Sequence, residues 1–316
     1  MHPILAGWLA HDSYDYNPNV ISVTTLIKPI KQTILGARVP HSSVDSDVLD
    51  RVASQTGTAI HEHVENVWVN NSGSIMENLG YPQHVIDKVR INPSKEELEE
   101  DIIPIFFEQR SERAVGSSVI SGKYDVVFEG VVCDIKKTST YTFSKGIKDE
   151  DYQLQGSIYK WLNPGIITED HMNILFVFTN WMKSQAIISK DGSYPPYPAM
   201  AHVIPLLSEH STEAYVSKRI ADISTLWNAD EAELPRCTDK DLWRDAPKFK
   251  YFAKPDGLRA TKNFDTLREA NEWCASKGKG IVKTVHGKVK ACNYCKAFAA
   301  CKQKEEYIRN GDLTVT

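Results

Sequence analysis

Two acids and a lysine in the stretch Gly122–Ser139, GKYDVVFEGVVCDIKKTS, have the types and spacing to hold a divalent cation beside an ammonium group. With Glu129-Gly130 as a two-residue turn, Phe128 falls opposite Val131, Val126 opposite Cys133, and Asp125 opposite Asp134. Directly opposed side chains of an antiparallel pair share a face, with Cβ atoms roughly 4.5–5.5 Å apart. Two carboxylates so placed repel. Mg²⁺ or Mn²⁺, which prefer carboxylate oxygens, relieves the conflict. Period-2 alternation puts Lys136 on the face of Asp134 and turns Cys133 and Ile135 the other way. The bland alternative is a solvated polar face on an edge hairpin, and the apolar run between the acids argues against it.

Other residues extend this set. His61 and His63 flank an apolar helical stripe of Ile60, Val64, Val67 and Trp68 at equal angles, so the helical wheel does not choose between them. Gln155 and Tyr159, four apart, share one helix face. Glu108 and Glu112 precede the hairpin and are further candidate carboxylates.

A second constellation is Cys292-x-x-Cys295-x₅-Cys301. Three close thiolates need a fourth ligand to close a four-coordinate site. Cys133 alternates with Val131 and Ile135, and Cys274 shares a helix stripe with Leu267 and Ala270; both patterns are those of packing. Cys237 follows Pro235-Arg236 with no apolar stripe to join, so elimination selects it. Zinc and iron–sulfur both remain open on spacing.

The elements that must position these groups alternate. Residues 22–38 read as a helix interrupted by Pro29. Residues 44–70 read as helical, 94–102 as a short acidic helix capped by Ser94, and 117–138 as extended. A helix over about 150–162 precedes a β run, Ile174–Thr179. Beyond Pro235 come a helix opened by Asp265 or Thr266, the lysine-rich β-like stretch KGIVKTVHGKVKA, and the cysteines. Alternation of this kind predicts an α/β protein with a mixed sheet. The expected division is 1–235 and 236–316.

In this order the motifs resemble those of the PD-(D/E)XK nuclease superfamily, RecB-like branch. Gly57-Thr-Ala-Ile-His61 matches its G-x-x-x-H helix, Asp125 and Asp134-Ile-Lys136 its carboxylate and D-x-K, and Gln155-Gly-Ser-Ile-Tyr159 its Q-x-x-x-Y. Lys137 departs from the branch's D-x-K-T. The resemblance implies a mixed central sheet flanked by helices (a restriction-endonuclease-like core). It implies that His61, Asp125, Asp134 and the Ile135 carbonyl hold Mg²⁺ or Mn²⁺, that Lys136 acts on the attacking water, and that Gln155 and Tyr159 orient the lysine or the DNA strand. The cysteine tail is similar to that of iron–sulfur nucleases such as the AddB nuclease domain and the CRISPR-adaptation exonucleases. That implies a 4Fe–4S cluster in a C-terminal module, with Zn²⁺ as the alternative. In those proteins the fourth cysteine precedes the histidine motif. Here none precedes Cys133, which leaves the fourth ligand open; a lone cysteine, Cys237, some fifty residues before the C-terminal triplet is similar to phage-type relatives.

The implied activity is Mg²⁺- or Mn²⁺-dependent hydrolysis of DNA ends or single strands, exonuclease rather than endonuclease, in phage-type recombination or DNA processing. The alternative is a catalytically silent DNA-binding scaffold that keeps the fold and cluster. Net charge is −4 and speaks against a nucleic-acid coat protein, though lysines thicken from Lys248 to Lys304. The segment Lys248-Phe-Lys-Tyr-Phe-Ala-Lys254 fits either a backbone track or a solvated strand face. No apolar run reaches the ~20 residues that span a bilayer, and a basic flank with a long apolar stretch is missing at Met1–Tyr16. A cytoplasmic protein, that of a bacterial host if phage-encoded, is expected.

Overall fold

The computed structural model describes residues 1–11, 17, 19–40 and 47–315. The chain divides into two compact units. The first comprises Met1–Ile27 with Ser46–Ala221, the second Lys28–Asp45 with Asp222–Thr316. The sequence division at 235/236 follows the linear chain, whereas contacts group the helix Ile30–Arg38 with the C-terminal residues.

Among the described residues the first unit holds nine strands: β1 Ile21–Ser22, β2 Val89–Ile91, β3 Ile103–Phe107, β4 Arg110–Val115, β5 Ser118–Lys123, β6 Val126–Phe128, β7 Val131–Thr138, β8 His171–Phe178 and β9 Ala199–Pro205. Six form one mixed sheet in the order β2-β3-β6-β7-β8-β9. Within it β2/β3 and β7/β8 are parallel and the other pairs antiparallel. A smaller sheet runs β1-β5-β4.

The hairpin β6–β7 has the expected register, with Val126 opposite Cys133 and Phe128 opposite Val131. Its turn residues Glu129 and Gly130 have φ of +49° and +77°, the left-handed pair that a tight primed turn demands. A Cβ on Gly130 would sit 2.1 Å from the Thr168 hydroxyl, so no larger residue fits.

Strand β7 is buried from Val132 through Ile135 because both its faces are covered. On one face Cys133 and Ile135 join Ile105, Phe107 and Val126 in a cluster closed by Ile60, Val64 and Trp68 of the helix Val52–Asn78. That helix extends beyond the expected end at residue 70, with a break in helical geometry at Asn71; residues 44–46 lie outside the described residues. Its stripe leaves His61 half-buried and His63 exposed. Over the opposite face lies the helix Asp149–Leu162. Gly156 allows its close approach, since a Cβ there would meet the Met172 sulfur at 2.4 Å.

One expectation is corrected. Residues 94–102 hold a single 3₁₀ turn, Glu97–Glu99, closed by reciprocal bonds of Ser94 and Glu97. The cap is present, but Leu98, 40% exposed, gives the segment no apolar face to bury. The expected interruption at Pro29 is present: Val23–Ile27 ends before it and Ile30–Arg38 begins after it, because Pro29 cannot continue the first helix and starts the second.

The second unit contains an antiparallel sheet in the order β11-β10-β12, with β10 Lys248–Phe252, β11 Lys262–Phe264 and β12 Ile281–Val285. The helix Leu267–Lys277, capped by Thr266, accompanies it. Only Ile281–Val285 of the lysine-rich stretch is strand. No helix among the described residues is long and apolar enough to cross a membrane.

Candidate metal and active site

Two strand ends and the long helix bring His61, Glu108 and Asp125 together, with one ligand atom from each within 4.8 Å of the others. Asp125 stands just before β6, and its Oδ2 accepts a bond from the Ile135 amide at 2.7 Å. Helix periodicity presents His61 to the same point. Its Nε2 lies 2.9 Å from the Ile135 carbonyl and its Nδ1 lies 3.4 Å from Asp125 Oδ2. Glu108 has a φ of +53°, a strained value for a non-glycine residue. Its Oε2 pairs with Lys123 at 2.5 Å, while Oε1 lies 3.9 Å from His61.

The electrostatics follow from this geometry. Burial by itself lowers the His61 pKa, but the hydrogen bond and charge of Asp125 outweigh it and raise the pKa above its ordinary value. Burial pushes the other way on Asp125, and His61 with Lys136 holds its carboxyl below the usual range.

Asp134 occupies the opposite side of β7 and is 1% exposed. Its Oδ2 pairs with Lys136 Nζ at 2.5 Å, and its Oδ1 accepts a bond from Gln155 Nε2 at 3.2 Å. Gln155 Nε2 also donates to the Tyr159 hydroxyl at 3.0 Å. Burial pushes the Asp134 carboxyl up to about 6, against the pull of Lys136. Lys136 is itself raised: desolvation lowers its pKa, and Asp134 and Asp125 more than restore it. Desolvation likewise keeps the Tyr159 hydroxyl protonated.

Thus His61, Asp125 and the Ile135 carbonyl converge, and Asp134, Lys136, Gln155 and Tyr159 form a second, adjoining group. The oxygens of Asp134 are turned to Lys136 and Gln155, so the three-ligand group contains Glu108 in its place. Glu112, in contrast, is an exposed residue of β4.

A cavity of about 680 Å³ opens over His61, Glu108 and Asp125. Arg51, Arg110 and Lys123 line it together with Ser54, Thr58 and Tyr159. Pattern reasoning missed these cationic residues. They lie on separate elements, and nothing in their spacing marks them as one wall.

The donor set is two carboxylates and an imidazole, which suits Mg²⁺ or Mn²⁺. The residues therefore fit a divalent cation.

In the second unit Cys237, Cys292, Cys295 and Cys301 line one small cavity. The apolar residues Ile34, Leu35 and Ala297 pack on Cys295 and Cys301, while Leu242, Val289 and Tyr307 pack on Cys237 and Cys292. Gln303, buried, holds Cys237 from both sides: its Oε1 accepts the Cys237 amide and its Nε2 donates to the Cys237 carbonyl, each at 3.1 Å. Burial, reinforced by neighbouring thiols, pushes Cys237 up to about 12 and Cys292 to about 11. The four cysteines thus share one lining, though no three of their sulfurs converge as His61, Glu108 and Asp125 do. Cys133 packs in the core of the first unit, and Cys274 contacts the Lys279 and Gly280 carbonyls. Its neighbour Ala270 is buried, but Leu267 is 46% exposed and leaves the predicted stripe.

No family model matches the chain, and no curated protein does. Among solved structures it is similar to the crystal structure of SSO0001, at 18% identity and TM-score 0.42 over 72% of this chain and 85% of that one. It is also similar to a phage related exonuclease from Haemophilus somnus 129PT, at 13% identity and TM-score 0.29 over 67% and 94%.

Proposed function

We propose that the chain is a Mg²⁺- or Mn²⁺-dependent DNA nuclease, an exonuclease acting on ends or single strands. One observation carries this reading: a three-ligand oxygen and imidazole group opens on a cavity, and the buried Asp134 with its partner Lys136 stands next to it on β7.

A divalent cation held by His61, Glu108 and Asp125 supplies Lewis acidity and lowers the pKa of water. The chain's own residues do the rest. Asp134 keeps Lys136 charged, so its ammonium is ready to meet phosphate charge as that charge develops. Gln155 and Tyr159 fix Asp134 from behind and thereby fix Lys136. The Ile135 carbonyl sets the orientation of the His61 ring. Lys123 steadies Glu108. The cavity also holds Glu62 and Glu65, so it is the cation together with Arg51, Arg110 and Lys123 that would favour a phosphodiester backbone over a neutral ligand.

For the cysteine quartet we propose a 4Fe–4S cluster, with Zn²⁺ as the competing occupant. Either would pin the residues around 237 to the C-terminal segment. Phage-type DNA recombination or processing is the setting that the resemblance favours.

Digestion of end-labelled single- and double-stranded DNA tests the activity. Wild type should release product only with Mn²⁺ or Mg²⁺, and Asp134→Ala should release none. Equal degradation by both proteins would refute the assignment.

A further inference from the structure

Residues 248–290 carry nine lysines and two arginines against two aspartates and two glutamates, in a chain whose overall charge is negative. The sheet of the second unit sets Lys250 directly opposite Lys283. The Lys283 ammonium donates to the Pro255 carbonyl at 3.1 Å and lies over the Phe252 ring, so this edge is basic and exposed on one side. Beyond β12 the chain alternates: Val289 is buried, while Lys288 and Lys290 point outward. A second segment runs beside it in the same fashion, with Leu242 inward and Trp243 outward. The two are tied together. Asp245 N donates to the Lys288 carbonyl at 3.0 Å, and the amides of Lys290 and Ala291 donate to the Leu242 carbonyl at 3.1 Å. Gly287 makes this approach possible, since a Cβ there would lie 1.6 Å from the Asp245 carbonyl oxygen.

This frame displays two large rings to water. Trp243 is 49% exposed and Tyr294 is 77% exposed, with ring centroids 6.0 Å apart. Trp243 has a φ of +48°, a backbone region that bulky residues rarely occupy. Strain held at an exposed aromatic residue points to a ligand rather than to packing. The rings, Lys288, Lys290 and Asn293 line an open cavity of about 450 Å³. Lys290 pairs there with Asp245 at 2.5 Å, on the exposed surface where a phosphate can compete.

We propose that Trp243 and Tyr294 stack on unpaired bases of single-stranded DNA while Lys288 and Lys290 meet its phosphates. Exposed π-faces beside lysines recognise bases of any sequence, and a duplex, whose bases are already stacked, offers them nothing. The choice of DNA rests on the nuclease reading; the stacking site rests on the second unit alone.

The test uses the full chain with its cysteine-bound metal intact and with Asp134→Ala to prevent digestion. Anisotropy of a labelled oligothymidylate reports binding. Trp243→Ala and Tyr294→Ala should each weaken it by about tenfold or more, and Trp243→Phe should restore it. An abasic oligomer of equal length should bind weakly and without dependence on Trp243. The proposal is overturned if Trp243→Ala and Tyr294→Ala, with metal content unchanged, bind as the parent does, or if the abasic oligomer or a blunt duplex shows the same dependence on the rings. These outcomes are independent of whether the wild-type site cuts DNA.

Discussion

The His61 imidazole meets the Ile135 carbonyl at 2.9 Å, across 74 residues of sequence. The other ring nitrogen faces Asp125. With an oxygen before each nitrogen, the ring is best satisfied as an imidazolium, and its pKa is raised accordingly. A cation bound there must displace a proton. Affinity for Mn²⁺ should therefore fall as pH drops through the raised His61 pKa, with proton uptake or release visible by calorimetry in buffers of different ionisation enthalpy. His61→Gln should flatten that dependence. A wild-type affinity constant from pH 8 to 6 would remove His61 from the ligand set.

Glu108 belongs to the three-ligand group, whereas Glu112 lies on an exposed strand position. Glu108→Gln should raise the Mn²⁺ concentration needed for half-maximal DNA cleavage by about 10–100-fold, the usual cost of disturbing a metal site. Glu112→Gln should leave it unchanged. Equal behaviour of the two variants would contradict the ligand assignment.

Gln155 satisfies Asp134 Oδ1 and the Tyr159 hydroxyl within the core. Gln155→Ala strands a buried carboxylate oxygen and should cost about 1–3 kcal/mol in chemical denaturation. Asp134 adds a pH signature. Its folded pKa, about 6, lies above the model-peptide value of 3.8, so the folded state takes up the proton more readily than the unfolded one. Its contribution to stability is fully present below the unfolded pKa and is lost as pH rises through about 6. The metal-free wild type should therefore gain stability relative to Asp134→Asn as pH falls from 7 to 4. A difference independent of pH would show that Asp134 is not desolvated.

The thiols of Cys237 and Cys292 are held protonated to about 12 and 11, so loading the quartet with metal must release protons and should strengthen as pH rises. Elemental analysis of anaerobic preparations should find iron and sulfide, where stoichiometric zinc would overturn the iron assignment. Cys237→Ser should lose metal and Cys274→Ser should keep it. Gln303→Leu, which removes the clamp on the Cys237 backbone, should lower retention without removing a ligand. Full metal content in Cys237→Ser would strike that residue from the set.

Period-2 alternation and one turn made the β6–β7 register legible, and with it the adjacency of Asp134 and Lys136. Helical periodicity left His61 and His63 equivalent; the structure separates them because His61 meets Ile135 of β7 and Asp125 while His63 is exposed. Glu108 was legible only as a nearby acid. Its place depends on a left-handed φ and on the pairing of β3 with β6, neither of which a linear pattern encodes. The hairpin alone also suggested that one cation sits between Asp125 and Asp134, but burial directs Asp134 to Lys136 and Gln155 instead. Gln303 was invisible for a similar reason, since its bonds go to the backbone of a residue 66 positions away.

The most direct measurement is calorimetric titration of Mn²⁺ into wild type, Asp125→Asn and Glu108→Gln, each purified anaerobically in the same way. We expect one saturable site in wild type, with binding lost or weakened at least tenfold in both variants while their folds persist. Identical isotherms for all three proteins would contradict the assignment of His61, Glu108 and Asp125 as the metal centre.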